Sequence, residues 1–138
     1  MAKEDLGAPN GLIFLDADVL IDLQRSFPPA VAWSQSARIE QFAVPGAVPI
    51  ELLAGSRDRK ELDRAIDFIE RFSIVWLTED DNHLAMKLVE RHCLQTGLGF
   101  ADFLIAAQSM SRSATLLTFN LRHFKSIPGL DAQAPYAG

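Results

Sequence analysis

Two carboxylates stand at the point where a short apolar run ends. In the segment GLIFLDADVLIDL, residues 11–23, apolar residues 12–15 stop at Asp16-Ala17-Asp18 and resume at Val19. The first run is typical of a buried parallel strand, and the second is typical of a helix with Asp18 as its N-cap. Open α/β sheets bind ligands at the carboxyl ends of their strands. Two carboxylates at such an edge do not easily stay ionised unless a cation joins them.

Three more polar residues occupy comparable positions further along the chain. Glu51 follows a short predicted strand, Asp102 lies in the first turn of a predicted helix, and Asn120 follows the strand TLLT. Because such positions share one edge of a parallel sheet, these side chains can converge on Asp16. Three carboxylates with an amide form an oxygen-only site suited to Mg²⁺ or Mn²⁺. Each acid also fits a plainer role: helix cap for Asp16, solvent-facing residue for Glu51, helix-dipole partner for Asp102.

Hydrophobic periodicity places these residues on alternating strands and helices. Strands are predicted over residues 12–16, 41–45, 74–77 and 114–118, and helices over 18–25, 30–40, 48–54, 58–72, 78–95 and 101–111, with a turn or short helix over 119–127. This alternation favours an α/β fold with a mainly parallel central sheet flanked by helices. Residues 1–10 are expected to form a flexible N-terminal arm and residues 11–134 a single domain.

Composition is ordinary for a globular domain. The chain has 138 residues, 49% of them apolar and 22% charged. The lone Cys93 cannot form an internal disulfide, and we see neither a signal peptide nor an apolar run of membrane-spanning length, so we expect a cytoplasmic protein with no membrane contact. The net charge of −5 argues against passive nucleic-acid binding. It does not argue against a nuclease, because a cluster of metal-binding carboxylates adds to the acidic count.

Four segments, in this order, resemble a known family. FLDADVLIDL, VPIELLAGS, GFADFLIAAQSM and TLLTFNLRHFKSIPGL together look like the PIN domain, and more narrowly like the VapC-like toxins of bacterial toxin–antitoxin pairs. The resemblance extends from about Leu12 to Leu130. It implies a PIN-like three-layer sandwich. It also implies a metal-dependent ribonuclease that inhibits translation by hydrolysing RNA such as tRNA or rRNA.

The resemblance also implies which residues form the site. The catalytic set that it assigns is Asp16, Glu51, Asp102, Asn120 and Thr118. The three acids would bind Mg²⁺ or Mn²⁺, and the amide and hydroxyl would orient water or phosphate. Asn120 leaves the site a charge short of the four-acid version of the family. Members of the family often carry Asn at the position of Asp18. Asp18 is therefore a candidate to support the metal ligands without binding the ion itself, and to restore the missing negative charge.

Partners are implied by the same resemblance. Proteins of this kind usually dimerise, so we expect a homodimer. A cognate VapB-like antitoxin is expected to cover apolar surface between the helices of residues 18–40 and 50–72 and to place an Arg or Lys on the carboxylates.

Cationic residues near the site are candidate contacts to RNA phosphate. Arg57 opens the basic stretch 57–64, and Arg122 follows the last predicted strand, closest in sequence to Asn120. His123 is a further candidate in the same segment. The basic stretch is equally well interpreted as a solvated helix face whose cations pair with neighbouring acids.

Two other functions compete with the nuclease. Asp16-Ala17-Asp18-Val19 fits the DxDx[TV] start of haloacid-dehalogenase-type phosphatases, in which the first Asp is a nucleophile. Only 18 residues follow Asn120, however, and they contain no acidic pair to complete that pattern. The second alternative is a catalytically weak PIN-like module that binds RNA or protein. Metal-dependent cleavage that is lost on Asp16→Asn would separate the nuclease from the module.

Overall fold

Strands and helices alternate along the computed structural model, which describes residues 11–37 and 41–137. In chain order the elements are β1 (Ile13–Leu15), α1 (Ala17–Gln24), α2 (Pro28–Ser36), β2 (Phe42–Pro45), α3 (Ala47–Ala54), α4 (Arg59–Ile69), β3 (Ile74–Val75), α5 (Glu79–His92), α6 (Phe100–Ser111), β4 (Thr115–Leu117), α7 (Leu121–Phe124) and β5 (Asp131–Gln133). The predicted α/β fold is confirmed. The predicted arm, residues 1–10, lies outside the described residues. Across the described part, no helix combines the length and apolar content needed to cross a bilayer.

A five-stranded sheet with the order β3-β2-β1-β4-β5 forms the centre of the fold, and all its neighbouring strands pair in parallel. The central strand β1 is covered on both faces, since Ile13, Phe14 and Leu15 are each at most 1% exposed. A strand buried on both faces requires the unbroken apolar run seen in the sequence. Leu15 pairs with Leu117 of β4, so the residues that follow these two strands are brought side by side.

The side chain of Gln108 joins α6 to the ends of two strands. It is fully buried; its Oε1 accepts the Gly46 N–H at 2.8 Å and its Nε2 donates to the Val75 carbonyl at 2.8 Å. The Gly46 N–H would otherwise be buried without a partner, which proteins avoid. Because Gly46 caps α3, this contact ties the start of the Glu51 helix to the Asp102 helix.

A buried ion pair connects the start of α5 to the end of α6. The predicted capping box of Thr78 and Asp81 is present. The Asp81 carboxylate, 2% exposed, also accepts hydrogen bonds from Arg112 at 2.9 and 3.0 Å. Burial acts to raise the pKa of Asp81, but the bonds from Arg112 and Thr78 outweigh it and hold that pKa below its usual range.

Two helix starts differ from the sequence prediction. Asp16, rather than Asp18, caps α1: its backbone is extended and its Oδ1 accepts the Ala17 N–H at 2.8 Å, which leaves Asp18 in the first turn. The second helix begins at Pro28 rather than Ala30, because proline fits a first turn that needs no N–H donor. That helix ends at Ser36, and part of its predicted extent, residues 38–40, lies outside the described residues.

The strand β5 was absent from the prediction. Its three residues contain no apolar run, and Asp131 is exposed at the edge of the sheet. Its partners identify it: Asp131 pairs in register with Thr115, whose buried hydroxyl donates to the Asp131 carboxylate at 2.8 Å. Edge strands this short give little sequence signal, because only the inner neighbour constrains them.

Candidate active site

Asp16 lies at the carboxyl end of the central strand and is 6% exposed. Its two oxygens have separate donors: the Ala17 N–H binds Oδ1 and the Thr118 hydroxyl binds Oδ2, each at 2.8 Å. Thr118 is within reach because β4 lies beside β1 in the sheet. Burial and two hydrogen bonds therefore fix the orientation of this carboxylate.

The electrostatic environment of Asp16 opposes its charge. Burial, and then repulsion from Asp18, raises the pKa of Asp16 to about 7, although the bonds from Thr118 and Ala17 act in the opposite direction. A pKa this close to neutral pH indicates that too little positive charge surrounds the carboxylate to stabilise its ionised form. A cation in contact with the site would supply that charge.

Asp18 is the second acid at this edge. Its Oδ2 accepts the Phe119 N–H at 2.9 Å and lies 3.5 Å from the Thr118 hydroxyl, while its Oδ1 is buried and has no hydrogen-bond partner among residues 11–37 and 41–137. Burial also raises the pKa of Asp18. A buried polar atom without a partner costs about 1–3 kcal/mol or more when charged, so this oxygen is placed to receive a ligand.

One cleft of about 810 Å³ brings the predicted acids together. The predicted residues that line it are Asp16, Asp18, Glu51, Asp102, Asn120 and Arg57. The pKa of Glu51 is raised by desolvation and then by the charges of Asp102 and Asp18, so carboxylates from three helices act on one another here. The Gly99 N–H donates to Asp102 Oδ2 at 3.0 Å and holds that side chain at the start of α6.

The donor set of the cleft fits a hard divalent cation. All of its candidate ligands are oxygens, their negative charges are concentrated, and Asp18 contributes an oxygen without a partner. Within residues 11–37 and 41–137, no group of three or more His, Cys, Asp or Glu side chains already forms a metal site.

Cationic side chains also line the cleft. Arg25, Arg57 and Arg64 are among its lining residues, whereas the exposed Arg122 is not. Arg57 is bound to Glu61, with its Nε and Nη2 both 3.0 Å from Oε2. Sequence reasoning did not single out Arg25, yet a signal was there: Arg25 follows Asp18 by seven residues, a spacing that places both on one face of α1.

His123 has a packing role in the structure. Its ring lies against Gly97, where an added Cβ would come within 2.5 Å of Nε2, and it does not line the cleft. Its backbone N–H donates to the Asn120 carbonyl at 3.3 Å. His123 therefore supports the segment leading to α6 from outside the group of acids.

Comparisons with known proteins identify the family to which the chain belongs. The family model of the PIN domain matches residues 13–130. The ribonuclease VapC19 of Mycobacterium tuberculosis is 34% identical over 127 residues, covering 88% of this chain and 98% of that protein. The ribonuclease VapC of Rickettsia bellii is 28% identical over 129 residues, covering 88% of this chain and 93% of that protein.

Solved structures show the same fold at low sequence identity. A DNA-bound VapBC complex from Salmonella typhimurium contains a chain that superposes with a TM-score of 0.78 and 20% identity, covering 90% of this chain and 98% of that one. A toxin–antitoxin complex from Klebsiella pneumoniae gives a TM-score of 0.73 and 22% identity, covering 91% of this chain and 99% of that chain.

Proposed function

Because this chain belongs to the PIN-domain family, we propose that it is a metal-dependent endoribonuclease whose active site is the cleft around Asp16. A relative that is 34% identical along nearly its whole length carries the name ribonuclease. The observation that carries the proposal is the set of acids lining one cleft at the carboxyl edge of the sheet. The phosphatase alternative is set aside, since the PIN match covers residues 13–130.

The proposed metal ligands are Asp16, Glu51 and Asp102, with Mg²⁺ or Mn²⁺ as the ion. Asp18 adds an unpartnered oxygen close to them, which suits it to hold a water or to complete the charge balance beside Asn120. When bound, such an ion would polarise a phosphoryl group, making its phosphorus more electrophilic, and would lower the pKa of water.

The protein residues prepare the site for RNA. Thr118 holds the Asp16 carboxylate in one orientation, and the Asn120 N–H in turn donates to the Thr118 hydroxyl oxygen at 3.0 Å. Asn120 lines the cleft, and a side-chain amide can donate to a phosphate oxygen. Arg25 and Arg64 line the same cleft and offer charge-assisted contacts to flanking phosphates.

The proposed biological role is that of a toxin inhibiting translation in the cytoplasm, with tRNA or rRNA as substrate. VapBC complexes are among the structural neighbours. We propose accordingly that a VapB-like antitoxin neutralises this chain by placing an Arg or Lys on the carboxylates of the cleft. A homodimer is part of the proposal, and its mass in solution is measurable by light scattering.

The test is cleavage of a small-RNA pool by the purified chain. Parallel reactions contain Mg²⁺, Mn²⁺ or EDTA, and Asp102→Asn is the matched variant, since an asparagine oxygen can still accept the Gly99 N–H. We expect discrete fragments that require metal and disappear with the variant. Sequencing the fragment ends would then identify the RNA and the cut site.

Absence of fragments from folded protein free of antitoxin would overturn the nuclease proposal. RNA binding without cleavage would then identify a PIN-like binding module, and Asn120→Asp would be the first variant to test for a gain of cleavage. If fragments still form in EDTA, cleavage does not require a metal ion.

A further inference from the structure

Tyr136 joins the end of the described chain to the active-site face of the fold. It lies beyond residue 130, where the PIN match ends, and beyond the predicted domain end at residue 134. Its ring centroid is 5.0 Å from that of Phe119 in an edge-on arrangement and 5.8 Å from that of Trp33. Its hydroxyl donates to Asp22 Oδ2 at 2.8 Å.

Two of the contacts of Tyr136, those with Phe119 and Asp22, reach elements that hold Asp18. Phe119 stands between Thr118 and Asn120, and its N–H is the donor to Asp18 Oδ2 at 2.9 Å. Asp22 lies one turn after Asp18 on α1. Tyr136 thus contacts the helix that carries Asp18 and the segment that donates to it.

We propose that Tyr136 is a positioning residue for Asp18, holding α1 against the Phe119 segment so that the unpartnered oxygen of Asp18 stays at the cleft. The consequence for metal binding rests on the proposed function. Tyr136 itself does not line the cleft and touches no reacting atom. Its effect passes through the Phe119 N–H, because a shift of that segment removes the donor that orients the carboxylate.

A set of variants distinguishes a positioning role of Tyr136 from a general effect on the stability of the fold. Tyr136→Leu removes the ring and the hydroxyl, whereas Tyr136→Phe keeps the ring against Phe119 and removes only the bond to Asp22. Phe72→Leu is the matched control, because Phe72 is half-buried and packs on Phe68 at 5.2 Å, outside the cleft. If Tyr136→Leu does not fold, Phe119→Leu removes the same ring contact while keeping the Phe119 N–H.

Two measurements decide the proposal. Hydrogen exchange by NMR reports the Phe119 amide in the metal-free protein, and calorimetry reports Mn²⁺ affinity. We expect Tyr136→Leu to reduce protection of that amide about tenfold and to weaken Mn²⁺ binding about tenfold, at the lower end for residues that orient metal ligands. Tyr136→Phe keeps the ring against Phe119 but loses the bond to Asp22 of α1, so it should reduce both quantities by a smaller factor, about threefold, and Phe72→Leu should change neither.

Native-like Phe119 exchange and Mn²⁺ affinity in Tyr136→Leu would overturn the proposal. Equal losses in Tyr136→Leu and Phe72→Leu would also overturn it, because they would indicate general loosening. If the native protein binds no Mn²⁺, the proposed function fails, and the amide exchange alone decides whether Tyr136 positions this segment.

Discussion

The Thr118 hydroxyl lies 2.8 Å from Asp16 Oδ2, although the two residues are 102 positions apart in the chain. The contact exists because β1 and β4 are adjacent parallel strands that end at the same edge. The same hydroxyl oxygen accepts the Asn120 N–H at 3.0 Å. One side chain therefore connects the central acid to the backbone of Asn120, which also lines the cleft.

Replacing Thr118 tests that connection. Thr118→Val keeps the shape of the side chain but leaves Asp16 Oδ2 without a donor, so Mn²⁺ affinity and RNA cleavage should each fall by about tenfold or more. Thr118→Ser retains the hydroxyl and should stay close to the native values. Calorimetry and single-turnover cleavage make the comparison; indistinguishable Val and Ser variants would show that the hydroxyl is dispensable.

The pKa of Asp16 predicts a pH-dependent stability in EDTA. Its pKa rises from an ordinary value of 3.8 to about 7 on folding, so between these values the folded state binds more protons than the unfolded state. The free energy of unfolding should fall as pH rises through this window and level off above about pH 7. Asp16→Asn removes this titration and is the reference for urea unfolding at each pH. A native-minus-variant difference that stays flat between pH 4 and 7 would contradict the assignment.

Arginines of the cleft should bind RNA through its phosphates. In an Asp102→Asn background that prevents cleavage, Arg25→Gln and Arg64→Gln should each weaken RNA binding and reduce the slope of log Kd against log salt by about one unit. Arg59→Gln is the matched control, because Arg59 lies on the same helix as Arg64 but pairs with Asp63 and does not line the cleft. Fluorescence anisotropy over a salt series measures both quantities. Equal effects of all three changes would indicate non-specific attraction.

Asp81, the buried acid of α5, should contribute more to the free energy of unfolding than its exposed neighbour Asp80. Asp81→Ala leaves Arg112 and the Thr78 N–H without this acceptor and should lower the free energy of unfolding by about 3 kcal/mol. Asp80→Ala changes an exposed residue in the same helical turn and should cost about 0.5 kcal/mol. Urea denaturation distinguishes the two variants. Similar midpoints would mean that the Asp81–Arg112 ion pair between α5 and α6 contributes little to stability.

Two glycines should respond in opposite directions to the same substitution. Gly97→Ala places a Cβ within 2.5 Å of His123 Nε2, so the ring or the segment before α6 must move, at a cost of about 1–3 kcal/mol. At Gly55 the nearest atom would be 3.6 Å away and φ is −78°, so alanine should be neutral or stabilising by about 0.5 kcal/mol. Thermal unfolding of both variants is the measurement. Unchanged stability in Gly97→Ala would show that the His123 ring moves aside at little cost in free energy.

Part of the fold was predictable because local patterns determine it. The apolar run before Asp16 identified the central strand, and the Thr78 capping box identified the start of α5. Parallel strands ending at one edge then predicted that Glu51 and Asp102 would approach Asp16, and the cleft contains all three. Their roles as metal ligands remain predictions.

The features that sequence reasoning missed depend on contacts between distant residues. Nothing local marks Gln108 as buried, since its partners are main-chain groups of Gly46 and Val75. Tyr136 follows a stretch without periodicity, and only the folded chain brings it to Phe119. Arg122 was preferred for its nearness to Asn120 in sequence, but the turn through α7 leaves it outside the lining of the cleft, which Arg25 joins instead.

The strand order also determines when the site can exist during synthesis. Asp16 is translated before its Thr118 partner, which follows 102 positions later, and it lies on a strand that ends up between β2 and β4. Chains emerge from the ribosome N-terminus first, and contacts between distant residues must wait for both partners. A nascent chain therefore lacks the complete cleft until residues beyond Asn120 have left the exit tunnel.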